Sequence, residues 1–275
     1  MKNKLIEIPV NKWTNLRDLY VKRKDRASCY NLIQTLINWK NKEPELELNI
    51  YSLNGDWEAD GTFVAKFLYQ VFFNTCGDNN ERLLTALNCL DSSESYLLAG
   101  YQDYLVPTVE QHFIDSGLDK ADCKPCGTCW YHISKDQAKQ FTIDPPSNIQ
   151  FKALELCHAE QINSIWPHRG PGSIEFVKLL IRLNDSVGLF EDNNLVAWCL
   201  ILPLGALGLL QVMDTHKRKG FGNLAVRYMS KLLAEKDIEV TAPVVFENVP
   251  SRSMFEKLGF KVIDKVYWAD KPANK

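Results

Sequence analysis

Gly208-Leu-Leu-Gln-Val-Met-Asp-Thr-His-Lys-Arg-Lys-Gly-Phe-Gly-Asn223 is the stretch on which the reading of this chain turns. Residues 209–213 form a short apolar run suited to a buried strand. Residues 214–219 are polar and basic. From Gly220 onward, Phe221, Leu224, Ala225, Tyr228, Met229, Leu232 and Leu233 fall on one stripe of an amphipathic helix. The stretch reads as strand, glycine-containing turn and helix N-terminus. The first N–H groups of a helix lack intrahelical partners, and the macrodipole adds partial positive charge there. Gly220 and Gly222 let a ligand approach the backbone, and Lys217, Arg218 and Lys219 stand beside them. Such a turn suits an anionic group.

Composition sets the bounds. The chain has 275 residues, enough for one large or two modest domains. Hydrophobic residues make up 45% and charged residues 24%, which permits a packed core. A formal net charge of −2 argues against broad nucleic-acid binding, which needs a basic face. Residues 1–8 carry no apolar signal-peptide core, and no run matches a membrane helix of about 18 apolar residues. The expectation is a cytoplasmic protein, with a mitochondrial location also open, no membrane partner and eight reduced cysteines.

Periodicity predicts a strand at 5–9, helices at 15–23 and 28–42, extended segments at 46–57 and 62–74, and a helix at 79–90. A strand at 96–101, a helix at 106–116, a strand at 127–134 and a short helix at 136–141 follow. Pro145 and Pro146 then break the pattern, so a domain boundary is placed here, giving domains 1–143 and 148–275. The second half restarts with a strand at 148–156 and helices at 158–166 and 173–184, with Ser173 as the cap of the latter. Asp192-Asn-Asn194 joins strands 186–191 and 195–202 as a hairpin. After the opening stretch come a strand at 238–246, a helix at 250–258 and a strand at 261–268. The fold class is mixed α+β, and the similar element order in the two halves suggests an internal duplication.

Two motifs carry a resemblance. His216-Lys-Arg-Lys-Gly-Phe-Gly222 is similar to the Arg/Gln-x-x-Gly-x-Gly/Ala loop of the GNAT superfamily of acyl-CoA N-acyltransferases. Asn248-Val-Pro-Ser251-Arg-Ser-Met-Phe255-Glu-Lys-Leu-Gly-Phe260 resembles its second signature. Residues 154–166, Leu195-Val-Ala-Trp198 and the segment from Gly205 resemble the glycine N-acyltransferase-like branch, with its FR47-like C-terminal domain. The resemblance implies a central twisted mixed sheet flanked by helices, with a degenerate GNAT-like domain as the N-terminal half. It implies acyl-CoA or acetyl-CoA as co-substrate and a small amine acceptor, glycine or another amino acid, in direct transfer.

The resemblance also assigns roles. Lys217, Arg218, Lys219, Gly220, Phe221, Gly222 and Asn223 would cradle pyrophosphate, chiefly through backbone N–H groups. Gln211, Val212 and Met213 would offer backbone to pantetheine, on a strand splayed from its neighbour. Asn248, Ser251 and Phe255 belong to the second signature, where Asn248 also suits a plain helix cap. Phe255 stands where many members have a tyrosine acid, and a phenyl ring donates no proton. The branch's base is a glutamate, yet none lies between Glu191 and Glu235. Asp214 is the first candidate base and His216 the second, since imidazole titrates near neutrality. These departures leave a non-catalytic acyl-CoA sensor or interaction module as the alternative. Cys123, Cys126, Cys129 and His132 have zinc-ligand types, but not the paired-knuckle spacing of structural zinc sites, so no metal is expected.

Overall fold

The computed structural model describes residues 3–23 and 27–273. The elements run β1 (Leu5–Glu7), α1 (Trp13–Leu19), α2 (Ala27–Lys42), β2 (Leu48–Leu53), β3 (Phe63–Phe67), β4 (Gln70–Asn74), α3 (Glu81–Leu87), β5 (Tyr96–Gln102), α4 (Val106–Asp115), β6 (Cys126–Ile133) and α5 (Lys135–Lys139). They continue with β7 (Ile149–Lys152), α6 (Ala159–Ile165), α7 (Ser173–Leu183), β8 (Ser186–Glu191), β9 (Asn194–Ile201), β10 (Leu207–Val212), α8 (Phe221–Glu235), β11 (Val240–Val245), α9 (Val249–Lys257) and β12 (Lys261–Lys271).

The chain forms two compact units, Met1–Thr128 with Asp264–Lys275, and Cys129–Ile263. The breaks fall inside β6 and β12. Residues 144–148, where the sequence suggested a boundary, lie within the second unit. Adjacent prolines interrupt hydrogen-bonded structure, but they do not decide which side chains pack together.

In the first unit β1, β2, β3 and β4 pair antiparallel in succession. β4 then pairs with β5 in parallel, and β12 runs antiparallel along β5. The sheet is therefore mixed. Its predicted segment 62–74 divides at Leu68, whose φ of 50° turns β3 into β4. Leu83, Ala86 and Leu87 of α3 and Val109 and Phe113 of α4 pack with Val64, Val71, Phe73 and Leu98 of the sheet. Burial of these apolar side chains is the main favourable term.

The second unit holds an antiparallel sheet in the order β10-β9-β8-β7. One face presents Val187 and Leu189 of β8 with Ala197 and Cys199 of β9. Against them pack Phe221, Ala225, Met229 and Leu233, the stripe read from the sequence. Val240, Ala242 and Val244 of β11 join this core. The expected strand 148–156 is only four residues long, since Leu156 to His158 turn into a 3-10 helix. Ser173 is not the cap of α7. Gly172 takes that position with φ 80°, while the Ser173 hydroxyl bonds Asn163 Oδ1 at 2.7 Å. Among the described residues, no helix is long and apolar enough to cross a membrane.

A buried polar chain stiffens the first unit. The Nδ1–H of His112 donates to Asn88 Oδ1 at 2.8 Å, and its Nε2 accepts from the Tyr96 hydroxyl at 2.9 Å. Asn88 in turn donates to Asp115 at 2.5 Å. Burial, aided by the nearby charge of Lys271, pushes the His112 imidazole down to about 4. The folded state therefore keeps His112 neutral, while an unfolded chain protonates it near pH 6.5. Between these values the unfolded state binds the extra proton, so stability falls as pH drops from about 6.5 to about 4. The expected loss is roughly 3 kcal/mol. Denaturant titrations of wild type and His112→Gln across that window check this, with the variant showing the flatter pH dependence.

Candidate functional site

The opening stretch folds as strand, turn and helix, all within the second unit. β10 pairs with β9 through Gly208↔Leu200 and Gln211↔Trp198. Three steps along β10 thus match two along β9, which is a bulge. Leu209 occupies it with φ 46°, a conformation unusual for a branched apolar residue. Beyond the bulge, among the described residues, only β9 pairs with β10, because β11 pairs with β6 instead. The other backbone edge of Gln211 and Val212 meets no strand. β10 is thus an edge strand of its sheet.

Met213 closes the strand by donating its N–H to Val196 O at 2.9 Å. A 3-10 turn, Asp214–His216, follows, and Arg218 and Gly220 both have positive φ, 65° and 84°. Gly220 caps α8, and a Cβ there would meet nothing within 4 Å, so its backbone conformation alone calls for glycine. The first helical bond runs from Leu224 N–H to Gly220 O at 3.0 Å. The N–H groups of Phe221, Gly222 and Asn223 lie ahead of it and have no intrahelical acceptor. A Cβ on Gly222 would make only ordinary contacts with Val212 and Met254. The three donors, the open space at Gly220 and the free edge of β10 form a continuous backbone surface that fits an elongated ligand with an anionic end.

Side chains around the turn divide by role. Asp214 is exposed and pairs with Lys217 at 2.5 Å. His216 does not project freely. Its Nε2 lies 2.8 Å from Glu191 Oε2, its Nδ1 lies 2.8 Å from the Thr215 hydroxyl, and its ring packs on Phe221 with centroids 6.0 Å apart. The hydrogen bond from His216 is the main reason the Glu191 carboxyl sits below its ordinary range. Asn148 donates to the other oxygen of Glu191 at 2.7 Å. Nothing periodic in the sequence links Glu191 to His216, so this pair was not legible there. Asn223 accepts from Arg227 Nε at 2.7 Å.

The second signature lies at and along α9. Asn248 Oδ1 accepts from Ser251 N–H at 3.2 Å and so caps α9. Phe255 is buried, stacked on Tyr131 and edge-on to Phe260. The Tyr131 hydroxyl donates to Glu256 at 2.7 Å, and desolvation raises its pKa. Burial pushes the Cys199 thiol up to about 12, which denies it a thiolate. Among the described residues, no group of three His, Cys, Asp or Glu side chains is placed to hold a metal ion.

Residues 186–269 match the family model described as FR47-like protein. A human protein, glycine N-acyltransferase-like protein 1, is 27% identical over 124 residues, which span 44% of this chain and 40% of that protein. The chain thus matches less than half the length of this curated relative. A solved Drosophila protein from a structural-genomics effort superposes with a TM-score of 0.89 at 22% identity, covering 99% of this chain and 100% of that one. A tandem GNAT protein from the clavulanic acid biosynthesis pathway gives 0.60 at 12% identity, with 99% of both chains covered. The fold is the one shared with the tandem GNAT protein, and residues 186–269 carry the match to the FR47-like family.

The loop geometry sets an expectation for its glycines. Gly220→Val forces a branched side chain into positive φ and should cost about 1–2 kcal/mol. Gly222→Ala meets no close atom and should leave stability within about 0.5 kcal/mol of wild type. Chemical denaturation of the two variants measures the difference.

Proposed function

We propose that this chain is an acyl-CoA-dependent N-acyltransferase that moves an acyl group directly to the amine of a small acceptor, glycine or a similar amino acid. The observation that carries the reading is the free backbone edge of β10, which leads from a bulge to the unpaired N–H groups opening α8. Gln211, Val212 and Met213 would pair with the pantetheine amides. The N–H groups of Phe221, Gly222 and Asn223 would hold the pyrophosphate, with Lys217, Arg218 and Lys219 adding screened attraction. The match to the human relative and the FR47-like segment support the acceptor class.

Transfer requires the neutral amine to attack the thioester carbonyl, the carbon–nitrogen bond to form, and the thiolate to leave. Backbone donors of the splayed strand suit the oxyanion that develops. A thiol with an ordinary pKa near 8.5 leaves without a strong acid, which accommodates Phe255. Asp214 and His216 lie five and seven residues past Leu209 of the bulge. The 3-10 turn that holds them follows the end of the strand, past Met213. In this reading they act on the amine through water, and its proton passes to solvent.

Calorimetric titration with CoA and acetyl-CoA tests the binding half, and the absence of heat at millimolar ligand would end the reading. Free-thiol release with a panel of amino acids tests turnover. Its rate should climb with pH towards the amine pKa and remain within about twofold in Asp214→Asn. A collapse of that variant's rate with binding intact would instead make Asp214 the base.

A further inference from the structure

We propose that Glu191 and His216 are positioning residues that clamp the turn before α8 in the shape an anion needs. The inference rests on the CoA reading above for its ligand, but the clamp is a property of the protein itself. Three elements meet at the imidazole. Glu191, the last residue of β8, holds Nε2 at 2.8 Å, with 16% of the His216 side chain and 27% of the Glu191 side chain exposed. Thr215 holds Nδ1 at 2.8 Å. The ring face rests on Phe221, the first residue of α8, at 25° between planes. Phe221 is itself buried in the core. The carboxylate is fixed from behind by Asn148, just before β7.

The turn needs such a fastening. Arg218 and Gly220 both occupy left-handed backbone conformations, and residues 217–220 are exposed or half-buried. A free turn of that composition samples many shapes, and ordering it on binding would cost affinity. His216 ties its first end to the hairpin strand and its last end to the helix. A carboxylate beside an anion site is otherwise unfavourable. Here the charge of Glu191 is taken up by His216, Lys219 and Asn148, which hold its pKa down. The same contacts explain why a histidine that looked catalytic in sequence stands at the phosphate end of the strand.

The test pairs ligand affinity with a readout that needs no ligand. CoA binding is measured by calorimetry for wild type, Glu191→Ala, His216→Ala, the double variant and Glu191→Gln, with thermal unfolding alongside. A clamp predicts roughly tenfold weaker binding in each alanine variant, no further loss in the double variant, and substantial rescue by Glu191→Gln, which still accepts from His216. Additive losses, or unchanged affinity, would overturn it. Amide hydrogen exchange of residues 217–223 in the ligand-free protein gives the second readout. Glu191→Ala should speed exchange there by at least several-fold while leaving β8 and β9 protected, and unchanged exchange would also sink the clamp. If wild type fails to bind CoA but the exchange result holds, the ligand reading fails and the clamp stands.

Discussion

Backbone hydrogen bonding is the constraint on which the second unit depends. Every strand N–H and C=O wants a partner, and an orphan in a dry place costs as much as a lost bond. β10 satisfies one edge with β9 and, among the described residues, leaves the other without a paired strand. A bulge at Leu209 interrupts the register of β10, and β11 takes its bonds from β6. One core lies beneath all of these strands. Phe221, Ala225 and Met229 of α8 pack under β8 and β9, while Val240, Ala242 and Val244 hold β11 against the same cluster. Pairing β10 with β11 would require this cluster to repack at close to crystal density.

The two units make the point by contrast, because their element orders are alike. In the first, β4 and β5 are bonded in parallel at Gln70↔Leu97 and Val71↔Leu98, so the corresponding strands are stitched together there. The helix that follows, α3, has only seven residues. Arg82 near its start is paired with Asp56 and Asp60 rather than left for an anion. A similar element order thus goes with an unpaired strand edge in one unit and a paired one in the other. Function has to be argued from the site rather than from the fold.

Most elements were legible because their periodicity is strong. The α8 stripe, the hairpin at Asp192-Asn-Asn194 and the loop glycines all report local physics. The failures are equally physical. The strand predicted at 148–156 ends at Lys152, since alternation cannot show where a chain peels off an edge. The capping role of Ser173 fell to Gly172, because the preceding loop imposes a left-handed residue. The division into units was hidden because β12 returns from the end of the described chain to the first sheet, a pairing no local pattern encodes. Glu191 and His216 meet through the sheet, 25 residues apart in sequence, so no local pattern could show that the imidazole has a carboxylate partner.

The return of β12 has a consequence for the order in which the molecule assembles. Asp264–Lys275 belongs to the unit that begins the chain, and Tyr267 reaches Asp103 across 164 positions. During synthesis at roughly 5–20 residues per second, β5 waits on the order of 10 s for its antiparallel neighbour while Cys129–Ile263 emerges. Throughout that interval the edge of β5 is an unprotected template for any strand that passes. The first unit to be made is therefore the last to be finished. Its completion depends on a contact of very high sequence separation, the kind that slows folding most.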